Sequence, residues 1–534
     1  MDELKFYESL KNPSFYGPKV KSVKILQTHI SYIALTGKYA YKIKKPVNFG
    51  FLDFSNLEKR KFYCEEEIRL NRRLCPEIYN DVVTITKKDN TFKIDGKGKI
   101  IDYAVKMKEF PQENIMTKML HNNKIDEKII DKILDILIKF YKTSEKSKEI
   151  NTFGSIDKIK INTDENFEQT ESAIDKTISE NIFNFIKKNT NKFLKEKKDV
   201  FKSRIKKGFI RDCHGDLHTG NIVVTNSDIY IFDCIEFNNR FRYSDIASDI
   251  CFLVMDLDFL GHPYLSSYMI EKYIEKSGDK EIIKVLNFYK CYRAYVRGKV
   301  TGFRLDDPNI DDKEKKKINL TAKKYFNLAY YYAQLFSLDL LKEKKPILFI
   351  TSGLTGTGKT TVARKISVDY HADLISTDAV RKELEGIDKF ERHHDAYNTG
   401  LYAPSKMKIT YDKIIEKAEN LLKKGYNVVL DATFKTEKLR FKAQFIAKKN
   451  NAYFLIIYTT CPESIIKKYL EKRVKKRSIS DGRWEIYIKQ KNSFEKIKNK
   501  SFVEIDISNI SYDYQIKIFR TILNIINNGG IFEN

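Results

Sequence analysis

At 534 residues the chain is long for a single core and predicts two or three domains, two being the simplest count, each large enough to bury its own interior. Apolar residues make up 42% and charged residues 32%, which excludes a disordered or fibrous chain, and no run of 18 apolar residues offers a membrane-spanning helix. The formal net charge of +26 would suit a polyanion, but lysine is spread along the whole chain with abundant Ile and Asn, so residue usage explains much of the excess.

Seven cysteines, an odd number without a C-x-x-C pair, speak against both a disulfide framework and a zinc site. The chain opens Met-Asp-Glu-Leu-Lys with no apolar signal core, so the expectation is a cytoplasmic protein with no membrane partner.

In chain order, residues 29–35 and 39–43 alternate about Thr36-Gly37-Lys38 and predict a β-hairpin. A helix fits 57–74, so the chain begins strand, turn, strand, helix, like the small lobe of a kinase. Residues 125–207 are Lys-rich, with Ile130, Ile133, Leu134 and Leu137 at three-to-four spacing, and predict helices. A strand at 222–224, a turn at 226–228 and a strand at 229–232 follow, and helices fill 243–340. The charged stretch 341–346 ends in Pro346 and reads as a linker. Beyond it, strands at 347–351, near Leu374, at 427–430 and at 453–458 alternate with helices after Lys359 and at 407–423. That alternation predicts a doubly wound parallel sheet.

The first chemical signal is His214-Gly215-Asp216-Leu217-His218-Thr219-Gly220-Asn221, followed by a strand ending at Asp233. Phosphoryl transfer needs a carboxylate to take the proton of the attacking hydroxyl and oxygen ligands for Mg²⁺ on the nucleotide. Asp216 suits the first task. Asn221, at D-x-x-x-x-N spacing, and Asp233 suit the second. These stretches resemble the catalytic and metal-binding segments of aminoglycoside phosphotransferases and related small-molecule kinases. The resemblance implies a strand lysine that meets the nucleotide phosphates, with Lys42 as candidate, held by a helix glutamate, with Glu67 as candidate beside Glu65 and Glu66. No G-x-G-x-x-G loop precedes Lys42, and Cys234-Ile235 follow Asp233 where protein kinases carry Phe-Gly. Asp245 and Asp249 read as structural carboxylates behind the loop.

The second signal, Gly353-Leu354-Thr355-Gly356-Thr357-Gly358-Lys359-Thr360, matches G-x-x-x-x-G-K-[ST] between a buried strand and a helix. Its glycines let backbone N–H groups wrap phosphate oxygens. Lys359 then reaches the β and γ phosphates, Thr360 ligates Mg²⁺, and Thr361 follows in the binding segment. Asp378 and Arg381, three apart at a strand end, are candidates for base and for a grip on an acceptor or transferring phosphate. Asp431 ends a strand where a Mg²⁺ ligand is expected, and Arg473 and Arg477 would belong to a basic lid. The half resembles small P-loop kinases such as gluconate kinase, and its D-x-x-R feature also resembles polynucleotide 5′-kinases. His393 and His394, adjacent and without ligand spacing, read as surface residues.

Together the halves resemble bifunctional proteins in which an aminoglycoside phosphotransferase is fused to a P-loop ATP-binding domain. The fold so implied is α/β and α+β: a bilobal protein-kinase-like domain at 1–341, with a small lobe at about 1–110 and a helical large lobe at about 111–341, then a P-loop domain at 342–534. The expected activity is ATP-dependent, Mg²⁺-requiring phosphoryl transfer to a small-molecule hydroxyl. The alternatives are a 5′-hydroxyl kinase acting on nucleic acid and a non-catalytic ATP-binding regulator.

Overall fold

The computed structural model describes residues 3–89, 91–307, 310–388, 391, 399–474, 482–498, 501–508 and 513–527. The chain forms two compact units: unit one is Met1–Glu165, Lys197–Asp256 and Glu275–Asp279, and unit two is Asn166–Glu196, Leu257–Ile274 and Lys280–Asn534. Residues 341–346, expected as a linker, lie within unit two.

Unit one opens with strands β1 (Lys24–Gln27), β2 (Ser31–Leu35), β3 (Tyr39–Lys44), β4 (Tyr79–Lys88), β5 (Thr91–Ile94) and β6 (Lys99–Lys108), in the antiparallel order β1-β2-β3-β6-β4-β5. The expected hairpin is β2–β3. The two-residue period of β3 sends Tyr41 and Ile43 into one core with Phe6, Phe15 and Ile85. Ala40 turns to the opposite face with Cys64, Ile68 and Val105, and Lys42 and Lys44 share that face by parity. The covering helix, Leu57–Asn71, is capped by Asn56, whose side chain accepts from the Lys59 N–H at 2.8 Å.

Strands β7 (Ile210–Asp212), β8 (Ile222–Val224), β9 (Ile229–Ile231) and β10 (Tyr243–Asp245) form two small antiparallel pairs, β7–β10 and β8–β9. Residues 243–245, expected to begin the helices, therefore form a strand, because they pair with β7 before the helix Ile246–Phe259 starts. Arg204, fully buried, bonds Asp245 at 2.8 Å and Asp279 at 2.9 and 3.0 Å, so Asp245 is structural as expected.

Unit two holds strands β11 (Ile347–Ser352), β12 (Ala372–Ser376), β13 (Asn427–Asp431), β14 (Tyr453–Thr460) and β15 (Phe502–Asp506), all parallel, in the order β12-β13-β11-β14-β15. β11 is buried at every position, as a strand covered on both faces must be. The chain leaves β11 for one side of the sheet and later returns to the other, so the loop after β11 lies at a topological switch point. The same unit includes the long helices Ile283–Phe303 and Asp312–Leu338. No helix among the described residues is long and apolar enough to cross a membrane.

Candidate functional site

In unit one the loop between β7 and β8 is held from below by carboxylates. Asp249 accepts from the backbone N–H groups of His214 (2.7 Å) and Gly215 (2.9 Å), which is the supporting role expected of it. Asp256 accepts from the Thr219 N–H (3.0 Å) and hydroxyl (2.6 Å). His214 takes the Asp216 N–H on Nδ1 (3.2 Å) and gives its Nε2–H to Phe232 O (3.0 Å), and burial pushes its pKa down, so the ring is a neutral spacer. Asn221 Nδ2 donates to Asp216 O (3.0 Å) and Oδ2 (3.1 Å), which brings the expected base and the expected metal ligand together.

Asp233 follows β9 with φ at +65°, a left-handed backbone that a non-glycine residue holds only under local constraint. The constraint is visible. Its N–H donates to Tyr79 Oη (3.2 Å), and the next N–H, of Cys234, donates to Asn71 Oδ1 (2.8 Å). Lys42 Nζ donates to Asp233 Oδ1 (2.6 Å) and Glu67 Oε1 (2.9 Å), so the candidate lysine, glutamate and metal ligand form one cluster. Among the three successive glutamates only Glu67 faces inward; Glu65 is exposed, and Glu66 bonds Arg69. Burial opposes the charge on Glu67, but the two flanking lysines overcome it and hold its carboxyl down to about 2. Sequence reasoning missed both Glu236 and Lys44, whose Nζ donates to the Glu236 carboxylate. The signals were the shared parity of Lys42 and Lys44 and the spacing of Glu236, three residues after Asp233.

In unit two the P-loop leads from β11 into the helix Lys359–Asp369, whose N-cap is Gly358. Gly353 and Gly356 stand in the same segment; Thr355 donates its N–H to Gln490 Oε1 (2.8 Å), and the Thr357 hydroxyl donates to Leu354 O (2.8 Å). Lys359 Nζ donates to Leu354 O (2.7 Å), and Thr361 lies half-buried in the first helical turn. Thr360 Oγ1 donates to Asp431 Oδ2 at 2.8 Å, joining the two expected cation ligands, and burial raises the Asp431 pKa against that hydroxyl's pull. Gln490, on the helix Trp484–Asn492, was not foreseen.

Asp378 lies in the first turn of the helix Thr377–Leu384, and Arg381 Nη1 donates to its Oδ1 at 3.0 Å. Arg381 is buried, with its guanidinium 4.4 Å from the Tyr402 ring centroid. Arg473 falls in the helix Glu463–Val474, but its side chain, together with Arg477, His393 and His394, lies outside the described residues.

A phosphate-binding loop at a helix N-terminus, on the switch point of a parallel sheet and facing a strand-end carboxylate, defines unit two as carrying a P-loop nucleotide-binding domain. Residues 348–497 match the family model described as an AAA domain. The chain is 29% identical over 425 residues to uncharacterised proteins of Mycobacterium tuberculosis and Mycobacterium bovis, covering 80% of this chain and 81% of each relative. Among solved structures it is similar to a gluconokinase from Sinorhizobium meliloti (16% identity, TM-score 0.26, 35% of this chain and 97% of that one). It is also similar to the ethanolamine kinase of Plasmodium vivax (12% identity, TM-score 0.33, 57% and 82%).

Proposed function

We propose that the chain is an ATP-dependent phosphotransferase with two nucleotide sites: the P-loop of unit two, and an aminoglycoside-phosphotransferase-like site in unit one, each passing the γ-phosphoryl group to a hydroxyl of a small molecule. The observation that carries the reading is the 2.8 Å bond between Thr360 and Asp431 beside Lys359, with a second set of phosphotransfer groups, Lys42, Asp216, Asn221 and Asp233, assembled in unit one.

In unit one Asp216 is the group that accepts the proton of the acceptor hydroxyl as its oxygen bonds to the γ-phosphorus and the bond to the leaving ADP oxygen breaks. Asn221 and the loop carboxylates Asp249 and Asp256 fix where Asp216 stands. Lys42 carries positive charge to the phosphates. In unit two Lys359 does the same, and Asp378 is the candidate base, oriented by Arg381.

Both sites fit Mg²⁺. Their donors are oxygens: Asp233 with the amide oxygen of Asn221, whose nitrogen is engaged by Asp216, and Thr360 with Asp431. Asp233 with Asn221 in unit one, and Thr360 with Asp431 in unit two, would hold a nucleotide-borne Mg²⁺, which would offset the charge of the phosphates.

The test is ATP turnover with product analysis across sugars, aminoglycosides, nucleosides and 5′-hydroxyl oligonucleotides, using wild-type, Asp216→Asn and Lys359→Ala proteins. A product lost in one variant assigns the acceptor to that unit. ATP binding without acceptor-dependent turnover in any of them would overturn the enzymatic reading.

A further inference from the structure

Lys44 stands two residues beyond Lys42 on the same face of β3, and both ammonium groups meet one carboxylate. Glu67 gives Oε1 to Lys42 (2.9 Å) and Oε2 to Lys44 (2.7 Å), and Lys44 also bonds Glu236. The side chains of Lys44, Glu67 and Glu236 are 1%, 0% and 4% exposed, whereas Asp233, the other partner of Lys42, is 41% exposed. Kinase-like sites work only while the strand lysine and helix glutamate are paired, and moving that helix is a common way to switch them off.

We infer that Lys44 and Glu236 are positioning residues that lock Glu67, so that the Lys42–Glu67 pair stands assembled without a partner or a modification. Drawing the helix Leu57–Asn71 away would separate Glu67 from both lysines and leave Lys44 with Glu236 as its one carboxylate of the two, in a buried site where the Phe54 ring lies 4.9 Å from the Lys44 nitrogen. The lock has a second tie. Asn71 Nδ2 donates to Glu67 O (2.8 Å) while Asn71 Oδ1 accepts from Cys234, so the helix is bound to the segment that presents Asp233. The bond that opens toward a phosphate is then Lys42 to the half-exposed Asp233, and the bond to Glu67 persists.

The inference rests on the reading that unit one binds nucleotide. Calorimetric titration of Mg·ADP into the full chain carrying Lys359→Ala, which silences the P-loop, measures that site alone. Removing Lys42 (Lys42→Ala) is expected to weaken binding about tenfold. In the Lys44→Met/Glu236→Gln background, affinity is expected to start about tenfold lower, and the further loss from Lys42→Ala to shrink below about threefold, while Lys44→Arg keeps the full Lys42 dependence. Glu236→Gln alone, nearly isosteric, should show the same trend and decides the matter if the double variant does not fold. An undiminished Lys42 penalty in these backgrounds overturns the lock alone. Absence of binding by the Lys359→Ala protein overturns the nucleotide reading of unit one and the lock with it.

Discussion

Lys365 Nζ lies 2.9 Å from Asp258 Oδ2 within unit two, with both side chains at most 1% exposed. The pair is one side of a buried square: Lys365 also meets Asp369 (2.8 Å), and Lys290 meets Asp258 (3.0 Å) and Asp369 (3.3 Å). The hydroxyls of Tyr332 and Tyr331 donate to Asp258 (2.7 Å) and Asp369 (2.8 Å). Lys365 and Asp369 belong to the helix whose first turn carries Lys359 and Thr360, so the far end of the P-loop helix is fixed by charge.

The square is balanced, two ammonium groups against two carboxylates, and breaking a buried set is costly because the partners left behind stay desolvated. Asp258→Asn is therefore expected to cost about 3–5 kcal/mol. The exposed pair Lys442–Asp412 is the contrast, and Asp412→Asn should cost under about 1 kcal/mol. Urea unfolding checks both, read on the transition that ADP protects in wild type but not in Lys359→Ala.

Gly358 caps the same helix at φ +73°, and a Cβ there would lie 2.1 Å from Ile507 Cδ1. Gly358→Ala combines left-handed strain with a clash, together about 2–4 kcal/mol, and should displace the loop N–H groups that wrap phosphate. ADP affinity of the P-loop, measured by calorimetry as the site that Lys359→Ala removes, should fall by about tenfold or more. Adding Ile507→Ala should restore part of it, because only the clash is relieved.

Asp216→Asn is expected to lower kcat of the unit-one reaction by about 10²–10⁴-fold and leave the KM for ATP near wild type, since the carboxylate serves the proton rather than the nucleotide. Asp249→Asn should lower kcat less, because it loosens the loop through His214 and Gly215 without removing the base. Steady-state kinetics with the acceptor found in the panel separates the two.

The sequence was most legible where spacing and chemistry coincide. Asp216 with Asn221, and Lys359 and Thr360 with Asp431, are brought together as the motifs imply, because each is set by a short turn or by a strand end whose hydrophobic run announces it. Strands β4 to β6 were not legible. Their residues alternate weakly among lysines, and their strandhood comes from pairing with one another and with β3. Nor did sequence show that Glu67, rather than Glu65 or Glu66, turns inward, since only the helix's rotation against β3 decides it. The compact unit around the P-loop sheet gathers helices that precede 341–346, among them Ile283–Phe303, whose Lys290 is buried against Asp258 and Asp369.

Burial depresses the pKa of His214 below its ordinary 6.5, so the unfolded chain takes up this proton at a higher pH than the folded one. Between the two values the unfolded state binds more protons, and stability there must rise with pH. The contribution of the neutral ring is thus complete above pH 6.5 and is lost progressively as the pH falls below it, toward the depressed folded value. His214→Gln supplies one donor and one acceptor without titrating, so the stability difference between wild type and this variant should be flat from pH 8 to 7. Below pH 6.5 it should move against the wild type by up to about 1.4 kcal/mol per pH unit. Urea midpoints of the two proteins across that range measure it, and taking the difference cancels the contribution of His371, whose pKa burial also lowers. A difference that stays constant into the acid would mean that the ring between Asp216 and Phe232 takes up its proton without loss of the folded loop.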